Sequence, residues 1–309
     1  RIRRRLSRAD MAVITANVWP LGNPARRTLY VVQIPYGPLR PSDIVRTACS
    51  KGPREALKQL GRRLLLRDAR RAEAVIVYSR FVQGVLRRHH GIESHVIYPG
   101  VEVPVEGSMA KEKAILGVGR FFRGPYNDKR HDVLVDAFKD LYDSLEDKGW
   151  ELHLAGGSSD DVVSRTYLED LRRRAAGYPV GFHVNCPHQE LGRLYSKAAL
   201  FWHAAGYGAN EETDPERMEH FGMSTVEAMG HWCVPLVVNG GGLREIVADN
   251  VSGCLWDSPA DLVRQSHALI TSPGALEPLR HEARRRAADF NSDEFRRRLL
   301  DAVGLVGSS

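Results

Sequence analysis

Apolar and polar positions along this chain follow two rhythms that take turns. Short apolar runs have the length and branched content of strands and end in turn residues: DMAVITANVW and TLYVVQIPYG within residues 10–36, AEAVIVYS at 72–79 and SHVIYPGV at 94–101. Between them, the stretches from about Pro53 to Ala72 and from about Arg80 to His90 space their apolar residues as helices do. EVPVEGS, residues 102–108, breaks the pattern and predicts a linker. A second alternation follows. AILGVGR (114–120) is a strand entering a glycine turn, HDVLVDAFKDLYDSL (131–145) a helix, and WELHLAGG (150–157) a strand ending in glycines. TYLEDLRRRAAG, QELGRLYSKA, STVEAMGHW and LREIVADN predict helices; VGFHVNC, ALFWHAAG and CVPLVVNGGG predict strands; arginine-rich helices run from about Leu276 onward.

Strands alternating with helices, with glycines at the strand ends, imply an α/β protein with doubly wound parallel sheets, one on each side of the linker. In such sheets ligands lie beyond the carboxyl ends of the strands. Gly117 to Arg120, Ala155 to Gly157, Ala204 to Gly206 and Asn239 to Gly242 are therefore expected on one edge.

Composition narrows the class without naming it. A chain of 309 residues with 43% hydrophobic and 27% charged residues can bury the cores of two domains. No apolar run approaches the ~18 residues of a membrane span, and the first residue is Arg1. Cys49, Cys186, Cys233 and Cys254 lie far apart, so neither a zinc site nor a disulfide framework is expected, and a reducing, cytoplasmic setting fits. The net charge of +6 is uneven: residues 1–100 carry 20 Lys and Arg against 6 Asp and Glu, the rest 24 against 32. The basic part is expected to meet something anionic, such as a phosphorylated substrate or an anionic membrane. A solvated helix surface explains the arginines equally well. Few aromatics interleave with the basic residues, which argues against nucleic acid.

The chemistry concentrates in EHFGMSTVEAMGHW, Glu219 to Trp232. Ser224 and Glu227 have the S-x-x-E spacing of a capping box. Alternatively, Glu219 and Glu227 flank a ligand at the helix N-terminus, where Gly222 lets the backbone come close and the amides from Phe221 through Met223 to Ser224 face a phosphate. Arg120 ends one strand and Lys129 precedes the next helix, two cations placed to converge on a diphosphate. GVGRFFRG has G-x-G-x-x-x-x-G spacing, which is weak evidence for a dinucleotide. The acidic insertion GYGANEETDPERM (206–218) reads either as a loop over the pocket or as a solvated surface loop.

EHFGMSTVEAMGHWCVPLVVNGGGLREIV (219–247) resembles the E-x7-E region of glycosyltransferase family 4, the group-1 retaining transferases of GT-B fold. GVGRFF…DKRHDVLVDAF (117–138), CPHQELGRLYSKAALFWHAAG (186–206) and AVIVYSRF…HVIYPGV (74–101) are similar to the same family in the same order. The resemblance implies two Rossmann-like domains facing a cleft. They would be an incomplete acceptor-side domain at 1–101 and a nucleotide-sugar donor domain at 109–280, with terminal helices at 281–309 packing back toward the first domain. It implies that Glu227 holds the donor ribose, that Glu219 contacts the transferred sugar, and that Arg120 and Lys129 hold the diphosphate. The Gly240-Gly241-Gly242 loop and Glu245 would match the family's GG-x-x-E segment and border the donor pocket. The implied reaction is transfer of a hexose to a sugar or lipid-linked acceptor, with no metal and no cofactor. The chain carries no D-x-D triplet. It departs from the family pattern by starting at RIRRRLSRAD, after the expected first strand and glycine loop, and by lacking a histidine in VVQIPYGP. The expectation is that residues 114–257 bind donor while the chain alone transfers sugar poorly. A GT-B epimerase or phosphorylase and a binding module without transfer stay open. The expected location is cytoplasmic, with peripheral contact at the inner membrane face.

Overall fold

The computed structural model describes residues 9–15, 25–38, 41–104, 110–124, 126 and 128–305. The basic opening at 1–8 and the linker residues 105–108 lie outside the described residues. The chain forms two compact units. The first takes the described residues up to Tyr98, Asn210–Glu216 and the residues from Phe295 on; the second takes Pro99–Ala209 and Arg217–Glu294. The acidic insertion is therefore divided. Within the first unit, Glu216 accepts a hydrogen bond from the Gly37 amide at 3.2 Å, and Glu212 lies 3.4 Å from Arg88.

In the first unit β1 (Met11–Thr15), β2 (Arg27–Val32), β3 (Ala74–Val77) and β4 (His95–Val96) form a parallel sheet in chain order. α1 (Pro41–Lys51) and α2 (Pro53–Arg70) lie between β2 and β3, and α3 (Arg80–His90) between β3 and β4. Both faces of β2 and β3 are covered, which is why these strands read as unbroken apolar runs, whereas the edge strand β1 leaves Val13 53% exposed. Tyr30, Val32, Val75 and Val77 pack against Leu65 and Leu86, while Leu29, Val31 and Ile76 pack against Ala302 of the terminal helix. Capping agrees with the sequence at α3: the Ser79 hydroxyl accepts from the Val82 amide at 3.2 Å, and Gly91 ends the helix at φ 58°.

The second unit holds six parallel strands: β5 (Glu112–Val118), β6 (Glu151–Gly156), β7 (Val180–Val184), β8 (Ala198–His203), β9 (Val234–Val238) and β10 (Cys254–Trp256). Their order is β10-β9-β8-β5-β6-β7, so the winding reverses between β5 and β8. The crossovers are α4 (His131–Ser144), α5 (Val162–Arg174), α6 (His188–Lys197), α7 (Met223–Gly230) and α8 (Leu243–Ile246). α9 (Pro259–Thr271) and α10 (Pro273–Ala287) follow, and α11 (Ser292–Leu305) ends the described chain.

Three expectations change. α1 is an additional helix; Gly52 at φ 90° separates it from α2, so PSDIVRTACSK forms its own element. The strand expected over 94–101 shrinks to two residues, because Pro99 has no amide to donate to a ladder. LREIVADN makes only one turn of helix, because Asn250 and Gly253 turn back at φ 56° and 152°.

Candidate functional site

The carboxyl ends of β5 and β8 meet where the winding reverses, the place at which doubly wound sheets bind ligands. Lys129 reaches this point from the loop before α4. Arg130, the next residue, takes a left-handed φ of 49°, its amide donating to Asp128 at 3.0 Å and its guanidinium to the Tyr207 carbonyl at 2.8 Å. The turn lays the Lys129 side chain across Gly119, where a Cβ would fall 2.4 Å from Lys129 Cγ. Glu219, 7% exposed, follows β8 and accepts a short hydrogen bond from Lys129 Nζ on Oε2. His203, the last residue of β8, places Nε2 3.1 Å from the same oxygen. Burial alone would raise the Glu219 pKa, but the Lys129 ammonium and His203 together hold it well below the usual carboxylate range. Burial lowers His203 despite the pull of Glu219. The cluster is thus a buried carboxylate and ammonium beside a neutral imidazole. Sequence reasoning paired Lys129 with Arg120 and passed over His203. The available signal was a polar ring closing an otherwise apolar strand at the glycine edge.

The glycine loop after β9 holds the backbone of this segment. The Gly242 amide donates to the Glu219 carbonyl at 2.8 Å. A Cβ on Gly241, which sits at φ 56°, would fall 2.4 Å from that carbonyl oxygen, and one on Gly242 would fall 2.4 Å from the His220 oxygen. Gly222 has a different reason for its identity. It caps α7 at φ 113°, and the space of its missing side chain is filled by Leu243 and Ile246 of α8. Phe221 is buried edge-on against Phe290, with centroids 5.5 Å apart, so its backbone is what it can offer a ligand.

The capping-box reading of Ser224 and Glu227 does not hold. Gly222 is the N-cap, no side chain caps α7, and Ser224 lies inside the first turn. The early amides of α7, at Met223 and Ser224, have no carbonyl one turn behind them. Glu227 turns instead to Tyr195, whose hydroxyl donates to Oε2 at 2.7 Å. The Tyr195 ring stacks on His231 at 5.2 Å. A pocket of about 580 Å³ opens here, lined by Glu227, Met223, Tyr195, His188, His231 and the chain around Val103. Burial raises the Glu227 pKa, with the Tyr195 hydroxyl pulling the other way. Tyr195 was hidden in the sequence as one apolar position of a helix.

Arg120 is exposed and lines a separate recess of about 290 Å³ with Phe121, Gly157, Ser158 and Asn185. Next to the cluster, the His131 ring stacks on Phe121 at 4.8 Å and is 1% exposed. Burial, then the nearby Lys129 ammonium and the His203 ring, lowers its pKa from 6.5 to about 3. The unfolded chain takes up this proton near 6.5 and the folded one only near 3, so stability is full above 6.5 and falls as pH drops. At pH 5 the loss is about 2 kcal/mol. Replacing the ring in His131→Phe keeps the stack and should flatten this slope in urea titrations from pH 7 to 5. An unchanged slope would assign it to other groups.

A family model described as "Glycosyl transferases group 1" matches residues 102–290. D-inositol 3-phosphate glycosyltransferase 1 of Catenulispora acidiphila is 30% identical over 222 residues, 67% of this chain and 50% of that protein. A GDP-Man:Man(3)GlcNAc(2)-PP-Dol alpha-1,2-mannosyltransferase of Xenopus tropicalis is 29% identical over 199 residues, 62% of this chain and 38% of that one. The chain thus spans half or less of the length of these two relatives. Anabaena HepE, solved with UDP and glucose, superposes with a TM-score of 0.71 at 17% identity, over 98% of this chain and 80% of that one. That likeness establishes the fold, two parallel-sheet α/β units as the GT-B expectation requires.

Proposed function

Because this chain belongs to the group 1 glycosyl transferases, we propose that it moves a hexosyl group from a nucleoside-diphosphate sugar to a sugar or lipid-linked acceptor, with retention of configuration and without a metal. The observation that carries this reading is the buried Glu219–Lys129–His203 cluster at the winding reversal, with Glu227 in its own pocket eight residues on. The Xenopus relative, named for GDP-mannose and a dolichol-linked acceptor, supports a lipid-linked acceptor here.

Cleaving a glycosyl–phosphate bond builds negative charge on the departing nucleoside diphosphate. Lys129 and the early amides of α7 stabilise that charge in a site that needs no reorganisation. Arg120, exposed at the same carboxyl edge, supplies a second positive charge. Glu219, ionised and held by Lys129 and His203, contacts the hydroxyls of the transferred sugar. Glu227 exchanges the Tyr195 hydroxyl for the ribose hydroxyls of the donor; burial favours this exchange, since a half-buried carboxylate needs donors.

Donor binding tests the assignment directly. UDP- or GDP-sugars should raise the melting temperature, and Glu227→Ala should weaken binding about 10- to 100-fold, the value of one or two hydrogen bonds to a charged group. A melting shift that survives Glu227→Ala would remove Glu227 from the site.

We also propose peripheral contact between the first unit and an anionic membrane. Val45, Leu57 and Leu60 are 66%, 51% and 42% exposed on α1 and α2. A groove of about 760 Å³ beside them combines Ile44 and Leu60 with Arg63, Arg67 and Arg70. Apolar tips among arginines suit a surface of anionic headgroups, where each basic residue contributes about 1 kcal/mol. Flotation with vesicles of anionic lipid should retain the chain at low salt and release it at high salt. Equal retention on neutral vesicles would end the idea.

A further inference from the structure

The edge of the second sheet carries a histidine pair that the transfer reaction does not use. His153 of β6 and His183 of β7 share one face. The register sets His153 opposite Gly181 and Ala155 opposite His183, so the rings are diagonal neighbours across the position where Gly181 has no side chain. Nδ1 of His153 lies 3.2 Å from Nε2 of His183. The outer nitrogen of each ring faces a carboxylate: His183 Nδ1 is 3.0 Å from Glu190 Oε1, and His153 Nε2 is 3.3 Å from Glu151 Oε2.

A carboxylate accepts hydrogen bonds and does not donate them, so Glu151 and Glu190 favour the tautomer that carries its proton on each outer nitrogen. In that tautomer the inner nitrogens, 3.2 Å apart, present two lone pairs to each other, an arrangement that favours a cation between them. The spacing suits a metal. Two imidazole nitrogens at ~2.05 Å from a tetrahedral ion stand about 3.3 Å apart. A carboxylate behind each ring is the arrangement that fixes the tautomer of metal-binding histidines and raises their basicity. The space is present as well. A Cβ built on Gly181 would come 2.9 Å from His153 Nδ1 and 3.3 Å from His183 Nε2, so the unfilled position borders both nitrogens. The neighbouring charge is acidic, with Glu151 and Glu190 at the rings, and Lys197 neutralised by Glu112 at 2.9 Å. Burial, then the neighbouring His183, lowers the His153 pKa, which keeps that ring available as a neutral ligand at pH 7.

We propose that His153 and His183 clamp one divalent transition-metal ion of the zinc, nickel or copper class over Gly181, tying the edge strand β7 to β6. Among the described residues no group of three or more His, Cys, Asp or Glu side chains is assembled for a metal. The clamp is therefore two-coordinate from the protein, and water completes the ion's shell. Such a site is open and exchangeable and lies apart from the Glu219 cluster.

The test uses the full chain without an affinity tag, stripped with chelator and titrated calorimetrically with zinc chloride. One ion per chain should bind. His153→Ala and His183→Ala should each weaken it at least tenfold, and Glu190→Gln about tenfold. Gly181→Ala, whose methyl would stand 2.9 Å from His153 Nδ1 and 3.3 Å from His183 Nε2 and crowd the ion, should also weaken it. His281→Ala, an exposed histidine elsewhere, should change nothing. A measurement on the unmodified chain guards against misfolded variants: nickel should selectively broaden the imidazole resonances of two histidines, and these should be the two lost in His153→Gln and His183→Gln. Zinc binding that survives the double replacement, or no binding at millimolar zinc, overturns the proposal and leaves a shared proton as the cation between the rings.

Discussion

Gly242→Ala should unfold the second unit's glycine edge and, under the proposed function, abolish donor binding. The new methyl would stand 2.4 Å from the His220 oxygen and 2.7 Å from its carbonyl carbon, both backbone atoms of the segment that delivers Glu219. Side chains can yield by changing rotamer, whereas a backbone pinned by the Gly242–Glu219 hydrogen bond cannot. The cost should reach or exceed the roughly 3 kcal/mol seen when a packed interior is overfilled. Urea unfolding of the second unit measures it. Gly274→Ala supplies the comparison, because no atom lies within 4 Å of its Cβ, and it should be neutral or slightly stabilising. If Gly242→Ala unfolds within about 0.5 kcal/mol of the parent, an ordinary surface change, the loop does not brace Glu219.

Lys129→Met should be nearly as damaging. It leaves the Glu219 carboxylate, 9% exposed at its side chain, with only a neutral imidazole. Breaking a buried pair by removing one partner costs about 3–5 kcal/mol. Glu219→Gln should cost less, because Lys129 is 16% exposed and its ammonium has a path to water. Under the proposed function both variants lose transfer, Lys129→Met through the leaving group and Glu219→Gln through the sugar. The pH dependence separates them from a general loss of packing. With Lys129 present, the folded Glu219 pKa lies below its ordinary 4.5, so the stabilisation is full above 4.5 and is lost as pH falls through the folded value. Without Lys129, burial dominates and the folded pKa moves above 4.5, so the variant gains relative stability as pH falls. Urea curves at pH 7 and pH 4 should therefore converge for the two chains at the lower pH. A constant gap would mean that the ion pair is not the source of the loss.

Much of this site was legible because it is local in sequence. Glu219, Gly222 and Glu227 lie in one short stretch, and the strand–glycine–helix rhythm placed that stretch on the ligand edge. Lys129 could be selected because it stands directly before a helix whose apolar spacing is clear. What escaped were residues whose role needs a partner from another element. His203 was one residue of a strand until β8 was set beside β5, and Tyr195, buried in the core, had no visible partner until α6 was set beside α7. The capping box failed for a related reason. Spacing allowed Ser224 and Glu227 to cap the helix, but the packing of Gly222 against Leu243 and Ile246 starts α7 two residues earlier.

The sequence by itself determined the class: β-α alternation with buried parallel strands, glycines on one edge, and a stretch from Glu219 to Val247 that resembles group 1 glycosyltransferases. These follow from hydrophobic period and local turn chemistry, which act over a few residues. Only the tertiary structure decided the electrostatics. Whether Lys129 serves Glu219 or Arg120, whether Glu227 meets its own helix or Tyr195, and why three glycines follow β9 all depend on which strands become neighbours. Coulomb and desolvation energies depend on separation and burial, and chain order specifies neither.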